Sequence, residues 1–228
     1  MINFIKDHTQ FFISDIVTKI CLVFSIWFMW SKVSENQKVA LEGMYDALNI
    51  KSPYYFNHSK RVGLICEAIC SHMAIDGLEK KEILSAAQLH DIGKLFIDEA
   101  ILHAERKLTE SEWAIVKLHP VKGRMMAERF HQSPAVGNLI LAHHENLDGT
   151  GYPLNLAGED IPKGARILRI ADSIDAMAMP RPYRPAMTFE HIVSELTINA
   201  GRWYDEEIIK LITNGLSKRI RLIILNNC

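Results

Sequence analysis

Apolar positions recur along this chain at the three-to-four spacing of amphipathic helices, and no stretch sustains the alternation of a strand. Val39, Leu41, Met44 and Leu48, with Ala40 and Ala47, predict a helix over residues 37–49 that ends before the turn Ser52-Pro53. Another is predicted from near Asn57, with His58 in its first turn and Val62, Ile65, Cys66, Ile69, Cys70 and Met73 on its buried face. Residues 78–90 continue the pattern through Ile83, Leu84, Ala87 and Leu89, and Gly93 is expected to stop that helix. Thr109 and Glu112 have the spacing of a capping box for a short helix running to His119, and Pro120 suits the start of the next one. Residues 136–142 and 165–177 are further apolar stretches, and Thr188 and Asp205 open two more. The fold class expected is all-α, a helical bundle with an additional N-terminal helix.

That extra helix belongs to residues 1–35, read as separate from a main domain over 36–228. Its apolar run, residues 20–30, is eleven residues long and bounded by Lys19 and Lys32. A bilayer span needs about 20 apolar residues. Extending the run backward meets Lys19 and Asp15. The segment is therefore expected to pack on the domain, to make a homodimer, or to associate with a membrane through residues 11–30. No small-residue cleavage site follows it, which argues against a cleaved signal peptide.

Composition bounds the rest. A chain of 228 residues, 48% hydrophobic, is long enough for one full domain with an appendage. A formal net charge of -1 argues against DNA or RNA polymers as partners and leaves room for a small anionic ligand in a local basic pocket. The cysteines, Cys21, Cys66, Cys70 and Cys228, lack the C-x-x-C spacing of zinc or redox sites and read as free thiols. That suits a cytoplasmic location, at the inner face of a membrane if residues 11–30 bind one.

Two motifs carry chemistry. Residues 142–153 read A-H-H-E-N-L-D-G-T-G-Y-P, in which His143 and His144 can both reach one ion from a helix end, while Gly149, Gly151 and Pro153 bend the following loop beside it. Upstream, His90-Asp91-Ile92-Gly93-Lys94 sets an imidazole and a carboxylate side by side, followed by a cation. Imidazole mixed with carboxylate, without sulfur, suits iron or manganese, with zinc, cobalt and nickel able to use similar donors.

In order, the chain contains His58-Ser59-x-Arg61-Val62, His90-Asp91-x-Gly93-Lys94, His119-Pro120-x-x-Gly123, the tandem-histidine motif, Ala171-Asp172-x-x-Asp175-Ala176 and Arg181-Pro182-Tyr183-Arg184. Together these resemble an HD-GYP domain, a branch of the HD superfamily of metal-dependent phosphohydrolases, over roughly residues 50 to 210. The resemblance implies that His58, His90, Asp91 and Asp172 hold one divalent ion and that Asp91, His119, His143 and His144 hold a second, with Asp91 as the bridge. Tyr54 stands where some members carry a glutamate for a third ion, so two metals are expected.

The same resemblance implies a phosphodiesterase that opens cyclic di-GMP to pGpG, and further to GMP, by attack of a hydroxide shared between the ions. Asp91 and Lys94 would be catalytic, and Lys94, Tyr152, Asp175, Arg181 and Arg184 would face the substrate. Glu145 and Asp148 are expected to orient ligating imidazoles from behind, a role open to Asp175 as well. Pro180 and Pro185 depart from the family pattern beside those arginines, which bears on the preferred base. Other readings are a hydrolase of cyclic GMP-AMP, a cyclic-dinucleotide receptor with little turnover, and a module that docks a diguanylate cyclase-type signalling partner.

Overall fold

The computed structural model of the chain describes Gly43, residues 53–180 and residues 185–226. Among these every regular element is helical, and the only strand-like pairs are the isolated bridges Asp148–Ala157 and Ala200–Tyr204. The helices are α1 (Pro53–His72), α2 (Gly77–Leu89), α3 (Glu99–Leu102), α4 (Glu110–Val116), α5 (His119–Arg129) and α6 (Pro134–Ala142), then α7 (Lys163–Ala178), α8 (Phe189–Ile198), α9 (Glu206–Leu211) and α10 (Ser217–Asn226). A 3-10 turn, Ile92–Phe96, links α2 to α3.

The apolar periodicity translates into packing. Val62, Ile65, Cys66, Ile69 and Cys70 of α1 are all buried, and α1 packs against α2, α7 and α10. Ile83, Ala86, Ala87 and Leu89 bury one face of α2, and α6 closes on α2, α5 and α7 through Val136, Leu139 and Ile140. Cys66 and Cys70 are free, and burial pushes their thiols up, Cys70 to about 11, so both stay protonated. Residues 218–226, basic then apolar, fall in α10 and bury Ile220 and Ile224.

Local capping sets the helix starts. Thr109 accepts from the Glu112 amide while the Glu112 carboxylate accepts from the Thr109 amide, a complete capping box at α4. Pro120 sits in the first turn of α5, and Thr188 and Asp205 cap α8 and α9. Two boundaries differ from expectation. The second predicted helix starts at Pro53 rather than near Asn57, because a proline is accommodated in a first turn as readily as in a turn before it, so His58 falls in the second turn. Gly93 does not stop α2, which ends at Leu89; it lies inside the 3-10 turn, where an added Cβ would meet the His119 carbonyl oxygen at 2.0 Å and the Gly123 nitrogen at 2.7 Å. The glycine is there to let that turn press onto α5.

The predicted helix over 37–49, apart from a helical Gly43, lies outside the described residues, as do residues 1–35. The membrane association expected through residues 11–30 is corrected here: among the described residues no helix is long and apolar enough to cross a membrane, and the run itself lies outside them.

Gly93→Ala should cost about 1–3 kcal/mol of stability or more, because backbone, not a flexible side chain, must give way. Urea unfolding of the two proteins measures it.

Candidate metal centre

Three of the candidate histidines stand at or just beyond the end of a helix. His90 caps α2, His143 caps α6, and His119 opens α5 directly after the end of α4. In each, ring nitrogen Nδ1 lies against the carbonyl three residues back: His90 on Ala87 at 2.9 Å, His119 on Val116 at 2.8 Å and His143 on Ile140 at 2.6 Å. A carbonyl can only accept, so each Nδ1 carries the proton and donates it. These are carbonyls that a terminating helix leaves short of partners. The hydrogen bond satisfies them and turns each Nε2 the other way, into the bundle.

His58 lies inside α1 and is held differently. Its Nδ1 donates instead to Asp175 Oδ2 at 2.7 Å, and Asp175 also accepts from Arg61 Nε and from Arg61 Nη2 at 3.1 Å. All three residues are buried. The orienting role open to Asp175 is thus what its contacts describe, and it is too enclosed to face a substrate.

The outcome is a convergence of bare nitrogens. Nε2 of His58 and His90 are 3.1 Å apart, and Nε2 of His119 and His143 are 3.3 Å apart. Burial holds the imidazoles of His90 and His143 below the ordinary histidine range and brings His119 to about 4, so at neutral pH these rings are neutral and their lone pairs face one another. Asp91 lies among them. Its Oδ1 is 3.4 Å from His119 Nε2, and its Oδ2 is 3.6 Å from His58 Nε2 and 3.5 Å from His90 Nε2. Burial opposes ionisation of Asp91, yet Lys94, donating to Oδ2 at 2.6 Å, and the surrounding imidazoles hold its carboxyl well below the usual range.

Ligand atoms of His58, His90 and Asp172 lie within 4.8 Å of one another, as do those of His119, His143 and His144; His90, Asp91 and His143 form a third such group that joins the two. Divalent cations fit this arrangement on two grounds. Facing lone pairs are repulsive unless a cation stands between them, and buried Asp91 Oδ1 has no hydrogen-bond partner.

The remaining candidates fall elsewhere. Tyr152 stacks on the His144 ring, centroids 4.7 Å apart and planes 27° off parallel. The roles expected of Glu145 and Asp148 are corrected: among the described residues neither carboxylate hydrogen-bonds to an imidazole. The Glu145 carboxylate accepts from the amides of Leu154 and Leu156 at 2.7 and 3.1 Å, and so ties down the loop after Tyr152. Asp148 accepts from the Thr150 amide and hydroxyl and from Arg202. Backbone amides of the loop and a neighbouring hydroxyl supply the donors for these carboxylates, and the Nδ1 atoms of His58, His90, His119 and His143 are committed elsewhere. Gly151 lets that loop fold onto the histidine turn, since a Cβ there would meet the Asn146 nitrogen and the Glu145 Cα at 2.4 Å. Arg181 and Arg184 lie outside the described residues. Arg61, Arg106 and Trp113 were not among the expected site residues; only Arg61 stood in a motif, and the other two line the cleft above the cluster.

A family described as HD domain matches residues 42–208. The chain belongs to the HD-domain family. Its relatives include phosphodiesterases of the HD-GYP kind. The chain is 35% identical over 170 residues to a 3'3'-cGAMP-specific phosphodiesterase 3 of Vibrio cholerae, covering 75% of this chain and 37% of that one. It is 32% identical over 187 residues to the cyclic di-GMP phosphodiesterase response regulator RpfG of Xanthomonas campestris, covering 81% and 50%. The chain thus spans half or less of the length of these curated relatives. The HD domain of the L. monocytogenes phosphodiesterase PgpH, solved in complex with cyclic-di-AMP, shares the fold at a TM-score of 0.59 and 18% identity, over 79% of this chain and 96% of that one. This HD domain, with its clustered histidines and aspartates, is suited to metal-dependent phosphodiester hydrolysis.

Asp175→Asn should weaken metal affinity about 10–100-fold, because an amide no longer fixes the His58 tautomer. Competition against a chromophoric chelator reads the change.

Proposed function

We propose that this chain is a metal-dependent phosphodiesterase that hydrolyses a cyclic dinucleotide, cyclic di-GMP in the first instance, to a linear product. One observation carries the reading: two pairs of buried imidazole nitrogens face each other across the Asp91 carboxylate, each carboxylate oxygen nearest a different pair. His58, His90 and Asp172 on one side and His119, His143 and His144 on the other would hold two divalent ions, iron or manganese, with Asp91 shared between them. Bound there, such ions supply charge for the phosphoryl oxygens and a water acidic enough to attack phosphorus at neutral pH.

The chain's own groups do the rest. Asp91 divides its two oxygens between the two sides, which a single imidazole cannot do. Lys94 lines the cleft, keeps Asp91 ionised and adds a positive charge where a phosphodiester would enter. Tyr152 covers one face of His144 and narrows the approach of bulk water to it. Cyclic GMP-AMP is the second reading, favoured by the identity to the Vibrio cholerae enzyme named for that substrate. Metal ligands select the bond to be broken more tightly than they select the base.

Incubating metal-loaded protein with cyclic di-GMP and cyclic GMP-AMP, and resolving products by chromatography, tests the proposal. Asp91→Asn and His143→Ala should each lower bound metal and abolish turnover, whereas Lys94→Ala should keep the metal and slow the reaction about 100-fold or more. Turnover surviving in a metal-depleted Asp91→Asn protein would overturn the scheme.

A further inference from the structure

The cleft above the histidine cluster has a second wall of different chemistry. It encloses about 210 Å³, and beyond His119 and Tyr152 its lining turns to Leu102, Leu108, Val116 and Trp113, with Arg106 on the same side. Trp113 is 46% exposed on the seven-residue α4. Its ring meets Tyr152 at 6.3 Å and 74°, and Tyr152 in turn stacks on His144, so one aromatic path runs from the cluster to the mouth of the cleft.

Arg106 is not a loose surface cation. Its Nη1 and Nη2 donate to the Glu112 carboxylate at 2.7 and 2.6 Å, and that carboxylate also accepts the Thr109 amide and hydroxyl of the capping box. The hydrogen bonds from Arg106, then those from Thr109, bring Glu112 down to about 2, so its carboxylate is ionised at neutral pH. The short helix thus presents a half-exposed indole to the cleft, and the segment before it an oriented guanidinium, one ring beyond a cluster suited to a phosphate ester. Indole faces accept any nucleobase, and a planar cation beside them suits an anionic, aromatic ligand.

Resting on the cyclic-dinucleotide reading above, we propose that Trp113 is the platform on which a nucleobase of the substrate stacks, with Arg106, clamped by Glu112, as the cation beside it. Stacking reads the π-face, so Trp113 sets affinity for the nucleotide rather than preference between guanine and adenine.

The test compares the full chain with its Trp113→Ala and Trp113→Phe variants, in two measurements. Equilibrium dialysis of cyclic di-GMP and cyclic GMP-AMP in EDTA reads binding alone, and steady-state hydrolysis with metal reads KM and kcat. Trp113→Ala should weaken binding and raise KM about ten-fold for both nucleotides, with kcat changed less than about three-fold. Trp113→Phe should recover most of the loss. Equal binding by Trp113→Ala and the parent chain, or a fall confined to kcat, overturns the proposal. The two readings separate cleanly. A parent chain that binds but never hydrolyses, with binding lost in Trp113→Ala, sinks the enzyme and keeps the platform. Turnover with an indifferent Trp113 does the reverse, and neither binding nor turnover in the parent chain removes both.

Discussion

The hydrogen bond from an imidazole Nδ1 to the carbonyl three residues behind it is the constraint on which this site depends. It occurs at His90, His119 and His143, each where a helix has just ended and a carbonyl lacks its usual amide. A single contact does three things there: it completes the helix end, chooses the tautomer and aims the other nitrogen inward. The histidines are thus placed by helix termination, and the bundle has only to bring those ends together.

Bringing them together needs close approach and charge compensation. Gly93 lets the turn after α2 press onto the start of α5, which sets His90 and Asp91 against His119, and Gly151 lets the loop after His144 fold back over it. The interior then contains Arg61 and Asp175, both nearly fully buried. Two such charges are costly to remove from water unless paired with good geometry. Here the guanidinium takes both carboxylate oxygens, and the spare acceptor capacity orients His58. The pair makes His58 behave as the helix-end histidines do, although it sits in the second turn of α1.

Much of this was legible in the residues. Thr109 with Glu112, Thr188 and Asp205 announced helix starts because capping acts within three residues. The seven candidate ligands were carried over from the family resemblance, and the structure places them in one cluster in which only His144 is half-buried. What stayed hidden was contact with backbone or across long sequence distance. Glu145 bonds amides nine and eleven residues ahead, which no side-chain pattern records. The carbonyls behind His90, His119 and His143 carry no side-chain signature, and the need for Gly93 arises from a helix that begins 26 residues later. Trp113 read as one more residue of a short helix until folding set it beside Tyr152.

The capping box at α4 has a wider meaning. Thr109, Glu112 and Arg106 form a self-sufficient clasp that shares no hydrogen bond with the anchors of the histidines. The rim of the cleft and its floor are nevertheless joined through α4, because the helix that this clasp starts ends at Val116, whose carbonyl anchors His119. A change at the clasp is therefore felt at the His119 imidazole through two turns of helix, so the rim cannot be recut without the floor registering it.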